Sequence, residues 1–283
     1  MMQRWELFLP AVDMVSVAEL HIYPVKSARG IAKSSVRLTA TGLEWDRNWM
    51  ITDRAGGFLS QRTDPDLARI ETHLSATSLI LRAPGVPPLE LPLALQGEVI
   101  GVQVWKDRCE ALDQGPAAGE WASAVLQKSV RLVRVPDMPK RAANPEYAGP
   151  QHAPVAFPDG FPILVCNRAS LDDLNARMPE PIPMERFRPN IVLDGLAPFA
   201  EDRIASVQIG AVTLQLVKPC TRCVITSTDQ RTGERSTNPL PYLREFRFDR
   251  NLLGVKFGEN AVVAAGVGAS IDQGADCVVT FDA

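Results

Sequence analysis

Long apolar runs are missing from this chain. No stretch approaches the ~20 consecutive apolar residues of a membrane-spanning helix, so a helical membrane protein is not expected. The opening segment, Met1 to Leu20, is broken by Arg4, Glu6, Pro10 and Asp13 and lacks the apolar core of a secretion signal; residues 1–16 read as an N-terminal tail. An excess of either charge is missing too. Thirty Lys and Arg stand against 33 Asp and Glu, and a net charge of −3 carries no signature of nucleic-acid or membrane-surface binding. Cysteine is scarce: five residues, odd in number and unevenly spaced, do not make a disulfide framework, which points to a reducing compartment and a cytoplasmic location. Cys109, Cys166, Cys277, His21, His73 and His152 form no second closely spaced pair to complete a zinc site with Cys220 and Cys223. The spacings Gly254/Gly258 and Gly266/Gly268 do not match a phosphate loop or dinucleotide fingerprint, there is no internal repeat, and pyridoxal phosphate is not expected.

What is present fits a globular chain of 283 residues, 46% apolar and 22% charged, long enough for about two domains or one large β domain. Short alternating segments read as strands: Val17 to Tyr23, Ser34 to Ala40, Asp46 to Ile51 with Arg47 and Trp49 on one face, Leu79 to Leu81, Leu89 to Leu93, Val99 to Trp105 and Val130 to Val135. Gly115 to Lys128 reads as a helix. A loop rich in Pro, Lys and Arg from Pro136 to Pro158 marks a domain boundary. Beyond it come a strand (Phe161 to Cys166), a helix (Asn167 to Met178, capped by Ser170), a strand (Ile191 to Leu193), and a hairpin over Val207 to Val217 turning at Gly210-Ala211. A short helix (Leu240 to Phe246) and a closing strand (Cys277 to Phe281) follow. Many short strands with few helices give a mainly β, α+β fold class.

The chemistry gathers at Lys218-Pro219-Cys220-Thr221-Arg222-Cys223. Pro219 cannot donate to a sheet, so the ladder is expected to stop there and deliver both thiols at a strand exit. Zinc lacks its second pair, and a dithiol redox pair wants a helix after the motif, whereas Val224, Ile225 and Thr226 are β-branched and strand-like. Two readings stay open: buried structural thiols, or a thiolate facing a soft metal or sulfur atom beside cations. Lys26 and Arg29 taken alone read as solvated surface. Arg47 needs an anionic partner, for which Asp46 and a ligand phosphate both qualify. Arg188, before Pro189, is expected to be extended; Glu185 and Asp202 are its candidate ion-pair partners.

Taken together, IYPVKSARG, DRNWMI, FPDGFPILVCNRASLDDLN, MERFRPNIVLDG and VKPCTRCVITSTDQRTGE, in this order and spacing, resemble the MOSC-domain family. The branch is the one with an N-terminal β-barrel domain, which includes bacterial YcbX-type proteins and the mitochondrial amidoxime-reducing component. The resemblance runs from about Val17 to the C-terminus. It implies two β-barrel-like domains with a few short helices, a MOSC N-terminal β-barrel domain over 17–135 and a MOSC domain over 136–283, with a molybdenum cofactor (a pyranopterin dithiolene) in the cleft between them. It places Cys223 as the molybdenum ligand and catalytic residue, and Lys26, Ser27, Arg47, Arg188, Asn190, Thr221 and Arg222 as cofactor-binding residues. The cofactor phosphate would gather cations from far-apart segments.

The implied activity is reduction of small-molecule N-hydroxylated compounds. The alternative is a cofactor carrier or sulfur-transfer module using a Cys223 persulfide. Asp159, Asp229 and a water on the metal are candidate proton donors. The sequence departs from the family pattern in three places. Thr221 stands where Ser is common, and Lys256 lies in a stretch where relatives carry Tyr. The chain also shows no clustered cysteines of a ferredoxin domain, so no iron–sulfur cluster is expected and a separate electron donor, ferredoxin- or flavoprotein-like, is implied.

Overall fold

The computed structural model describes residues 14–149 and 153–282, so most of the expected tail, along with Pro150 and His152, lies outside the described residues. Nineteen strands and four α-helices are present among them, and the mainly β class stands. The strands form four sheets: one of nine strands, one of four and two of three.

The large sheet draws on both ends of the chain. The first strand, Ser16–Ile22, lies between Ile31–Lys33 and the strand Ile191–Asp194, pairing antiparallel with both. Ile191–Asp194 then runs parallel to Ile163–Asn167, which pairs with the long strand Gly254–Ala265. Ser35–Thr39 in turn pairs with Ser270–Asp272. The expected units 17–135 and 136–283 are therefore joined by strand pairing, not only by a linker. Their shared core contains Val17, Leu20 and Ile22 beside Ile163, Val165, Ile191, Leu193 and Leu214. Each such fully buried aliphatic side chain contributes about 1.5–3 kcal/mol. A second core, built on Trp49, Ile51, Leu79, Leu81, Trp121 and Leu132, belongs to the first half alone. A third packs Phe187 on Phe257, with ring centroids 3.9 Å apart, against Leu174 and Leu243.

Several sequence expectations need correction, each for a local reason. The strand expected over Asp46 to Ile51 is Trp49–Asp53; Asp46 and Arg47 lie in the turn before it, so Arg47 does not share a strand face with Trp49. Pro219 does not end its strand. Val212–Thr221 runs through it, with Pro219 opposite Glu259 and register shifts on either side, and such bulges are where a sheet tolerates proline. Val224–Ser227, read as strand-like, is a 3-10 turn, because Thr226 donates from both N and Oγ1 to the Cys223 carbonyl. The helix Arg168–Ala176 is capped by Asn167, whose Oδ1 accepts from Ala169 N; Ser170 instead donates to the buried Glu201. Gly254–Ala265 is one strand that turns at Gly258 (φ 74°), where a Cβ would sit 2.6 Å from Cys166 Sγ and 2.8 Å from the Val165 carbonyl. The hairpin turning at Gly210-Ala211 and the helix Pro116–Leu126 form where expected.

Candidate functional site

Proline at position 24 ends the first strand, and the next residues are tied to the turn before Trp49. Lys26 N donates to the Trp49 carbonyl, Arg47 N to the Tyr23 carbonyl and Trp49 N to the Pro24 carbonyl. Arg47 in turn accepts through its carbonyl from Phe157 N. These bonds bring the segments 23–27, 46–49 and 157–161 together. The 3-10 turn Met184–Arg186 then presents Phe187 and Arg188, and the strand Val212–Thr221 brings Cys220 to Cys223.

The result is a cleft with a cavity of about 140 Å³. All eight sequence-predicted site residues line it: Lys26, Ser27, Arg47, Arg188, Asn190, Thr221, Arg222 and Cys223. Three of them, Ser27 (φ 67°), Arg47 (φ 50°) and Arg188 (φ 56°), have left-handed backbones. Non-glycine residues avoid that region, and strain of this kind concentrates at functional sites. Arg188 is thus not extended as expected. Its N donates to the Glu185 carbonyl at 3.1 Å, closing the turn, and the left-handed region evades the clash that Pro189 imposes on a right-handed one.

Each cation is held differently. Lys26, 4% exposed, donates to the Phe157 carbonyl at 2.8 Å and to Asp159 Oδ1 at 2.5 Å. Burial pushes its pKa down to about 8, with Asp159 opposing. It is not the solvated lysine that its isolated reading suggests. Arg47 pairs with the buried Asp46 at 2.5 Å, the protein partner foreseen for it, and also donates to Asn190 Oδ1 at 2.9 Å and to the Arg188 carbonyl at 3.2 Å. Arg188 pairs with neither Glu185 nor Asp202. Glu185 faces Arg231, and Asp202 holds Arg247 and Lys256. Arg188 instead donates to Gln230 Oε1 at 2.8 Å, and burial lowers its pKa to about 10. The guanidinium groups of Arg47 and Arg188 lie over the Tyr23 ring at 4.4 and 4.2 Å.

The two thiols differ. Arg222 Nη1 donates to Cys220 Sγ at 2.8 Å and Nη2 to the Phe187 carbonyl at 2.5 Å, so Cys220 is engaged from within the chain. Cys220 also packs against the Phe187–Phe257 core. The Cys223 thiol, half-buried and lining the cleft, has no hydrogen-bond partner among the described residues. Asn190 is already committed: Oδ1 accepts from Arg47 and Leu164 N, and Nδ2 donates to the His21 carbonyl. It therefore positions Arg47.

Sequence reasoning missed Arg62, which lines the cleft and donates to Asp159 Oδ2 at 3.0 Å. No motif marks it. Burial would raise the Asp159 pKa, but Lys26 and Arg62 together hold the carboxyl well below its ordinary value. Asp159 is thus an anion at neutral pH, not a proton donor. Asp229, the other candidate, lies outside the cleft lining and is kept ionised chiefly by the Thr232 backbone N–H. Lys256, read from the sequence as a departure from the family pattern, is bound to Asp202 at 2.9 Å and does not line the cleft.

Residues 14–129 match the family model of the MOSC N-terminal beta barrel domain, and residues 152–275 that of the MOSC domain. The chain is 34% identical over 242 residues to mitochondrial amidoxime reducing component 2 of Bos taurus, covering 82% of this chain and 72% of that one. It is 36% identical over 248 residues to mitochondrial amidoxime-reducing component 1 of Mus musculus (82% and 71%) and 34% identical over 244 residues to that of Homo sapiens (82% and 72%). These relatives are named mitochondrial components, which overturns the cytoplasmic location expected from the cysteine content.

Proposed function

The chain belongs to the MOSC family that includes the amidoxime-reducing components, and from that premise we propose that it is a molybdenum-cofactor oxidoreductase acting on N-hydroxylated compounds. The observation that carries the reading is the set of unsatisfied cationic donors in the cleft. Arg62 Nη1 and Arg222 Nε are buried without a partner among the described residues, and Arg188 is held by an amide rather than a carboxylate. Buried donors of this kind are costly unless something accepts from them, and a phosphate-bearing group fits. The free Cys223 thiol beside them fits a soft metal.

In this reading Cys223 holds the metal, and Lys26, Arg62 and Arg188 gather the phosphate. Arg47, neutralised by Asp46 and fixed by Asn190, orients the Arg188 carbonyl and the Tyr23 ring rather than supplying net charge. Cys220 fixes Arg222. When bound, the cofactor supplies two-electron oxygen-atom chemistry. Cleaving the N–O bond of an amidoxime consumes two electrons and two protons and releases an amidine and water. A separate donor protein, ferredoxin- or flavoprotein-like, supplies the electrons. The test is molybdenum and pterin analysis of protein made in a cofactor-synthesising host, followed by reductive turnover of benzamidoxime. Stoichiometric metal with turnover supports the reading. Folded protein that carries a Cys223 persulfide but neither metal nor turnover supports the sulfur-transfer alternative.

A further inference from the structure

A groove with a cavity of about 770 Å³ adjoins the cleft and shares Asp159, Gly160 and Phe161 with it. Its walls are aromatic, from Phe58, Trp105 and Phe161. Phe58 and Trp105 meet edge to face with centroids 5.1 Å apart. Cations of the cleft lie on the same rings: Arg62 over Trp105 at 4.6 Å and Lys26 Nζ over Phe58 at 5.1 Å. The groove and the cleft are thus continuous through one set of side chains.

Trp105 is the outlier. The strands Glu98–Val104 and Asp107–Asp113 pair with Val104 opposite Asp107, leaving Trp105-Lys106 as a two-residue turn. The backbone of Trp105 is left-handed (φ 57°) and that of Lys106 is not. Two-residue turns with positive φ at the first position take glycine there. A tryptophan in that place is strained, and it is 44% exposed, so burial of its ring does not offset the strain. The Phe58 and Arg62 contacts offset part of that strain while leaving the ring half open to the groove, and local rules broken in this way are expected at functional sites. On the rim, Asp107 is taken by Arg141 at 2.9 Å and Asp159 by Lys26 and Arg62, while Lys106 and Lys218 have no carboxylate partner among the described residues. The rim therefore disfavours cations.

We propose that this groove is the substrate-binding site, and that it selects planar aromatic N-hydroxylated compounds that are uncharged, the ring lying against Trp105 and the N-hydroxyl group facing the cleft. The proposal rests on the reductase reading for its chemistry, not for its binding step. It also accounts for release: an amidoxime is neutral near pH 7, whereas the amidine it becomes is a cation, which the basic rim repels.

The test compares benzamidoxime with acetamidoxime on the full chain, by ligand-observed NMR titration and, separately, by turnover. Wild-type protein is expected to bind the aromatic compound at least about ten-fold more tightly. Trp105→Gly, which suits the left-handed turn, is expected to abolish that preference without lowering the melting temperature; Trp105→Phe is expected to keep most of it. If Trp105→Gly does not fold, Phe58→Leu is expected to reduce the preference at least about three-fold. Retention of the full preference in a folded Trp105→Gly or Phe58→Leu protein overturns the proposal. Turnover of neither compound, with the binding preference intact, sinks the reductase reading and leaves the groove standing.

Discussion

Arg188 gives its guanidinium to the side-chain oxygen of Gln230 at 2.8 Å, in a cleft where Lys26 and Arg47 each have a carboxylate. Gln230 is itself fixed by a reciprocal pair of amide hydrogen bonds with Gln61, at 2.9 and 3.0 Å. A neutral partner orients the cation and leaves its charge available to a ligand.

Replacing Arg188 with Met is therefore expected to weaken binding of sulfate, as a stand-in anion, by about ten-fold or more. The melting temperature is expected to hold or rise, because a half-buried charge with no carboxylate partner is removed. Calorimetric titration together with thermal unfolding checks both. A destabilised variant with unchanged sulfate affinity would show that Arg188 serves the fold instead.

The two cysteines are expected to separate. Cys223→Ser should lose molybdenum when the protein is produced with cofactor supply, while keeping its melting temperature. Cys220→Ser should keep most of the metal and lose about 1 kcal/mol or more of stability through the Arg222 contact. Equal metal loss in both variants would refute this division of roles.

Lys26 sets a pH dependence. Its folded pKa, about 8, lies below the 10.5 of the free side chain, so the native state binds fewer protons than the unfolded state between those values. The group's unfavourable contribution is thus fully present below pH 8 and fades as pH rises toward 10.5. Anion binding runs the other way, since the charge is lost above pH 8. Sulfate affinity is expected to fall between pH 6.5 and pH 9, and Lys26→Met should flatten the profile. An unchanged profile in that variant would assign the dependence elsewhere.

Glu259, 4% exposed, is pushed up to about 9 by burial and then by Asp202, and its Oε1 has no partner. A carboxyl whose folded pKa exceeds its unfolded 4.5 loses stability as pH rises from about 4.5 to 9. Glu259→Gln should remove that loss and add up to about 3 kcal/mol at pH 7. Urea unfolding at pH 5 and pH 8.5 reads it: the gain should be larger at pH 8.5. A constant difference between wild type and variant would mean that the carboxyl does not titrate in this window.

The strands with strict alternation and clear turns, such as the hairpin at Gly210-Ala211, were legible because one local period dictates them. Pro219 and Gly258 were not, because the bulges beside them depend on a partner strand. Ser170 looked like a cap from spacing alone, but Asn167, one residue before the helix, reaches its N–H groups first. In the site, far-apart motifs named eight residues that the fold brings into one cleft. Their partnerships were hidden. The burial of Lys26 depends on Phe157 and Asp159, more than 130 positions away, and Arg62 carries no motif at all. Trp105 read as the end of a strand because positive φ leaves no trace in a bulky residue.

The pairing of Ser16–Ile22 with Ile191–Asp194 has a consequence for synthesis. About 170 residues separate the partners, and at ~5–20 residues per second the first strand waits roughly ten to thirty seconds for its neighbour to emerge. Until then its apolar face and one ladder edge stand open, and the nascent chain is a natural client for a chaperone. The cleft needs both Lys26 and Cys223, so it comes into being only once residue 223 has followed residue 26 out of the ribosome. Under the proposed function, loading with a cofactor would have to wait for both segments to fold together.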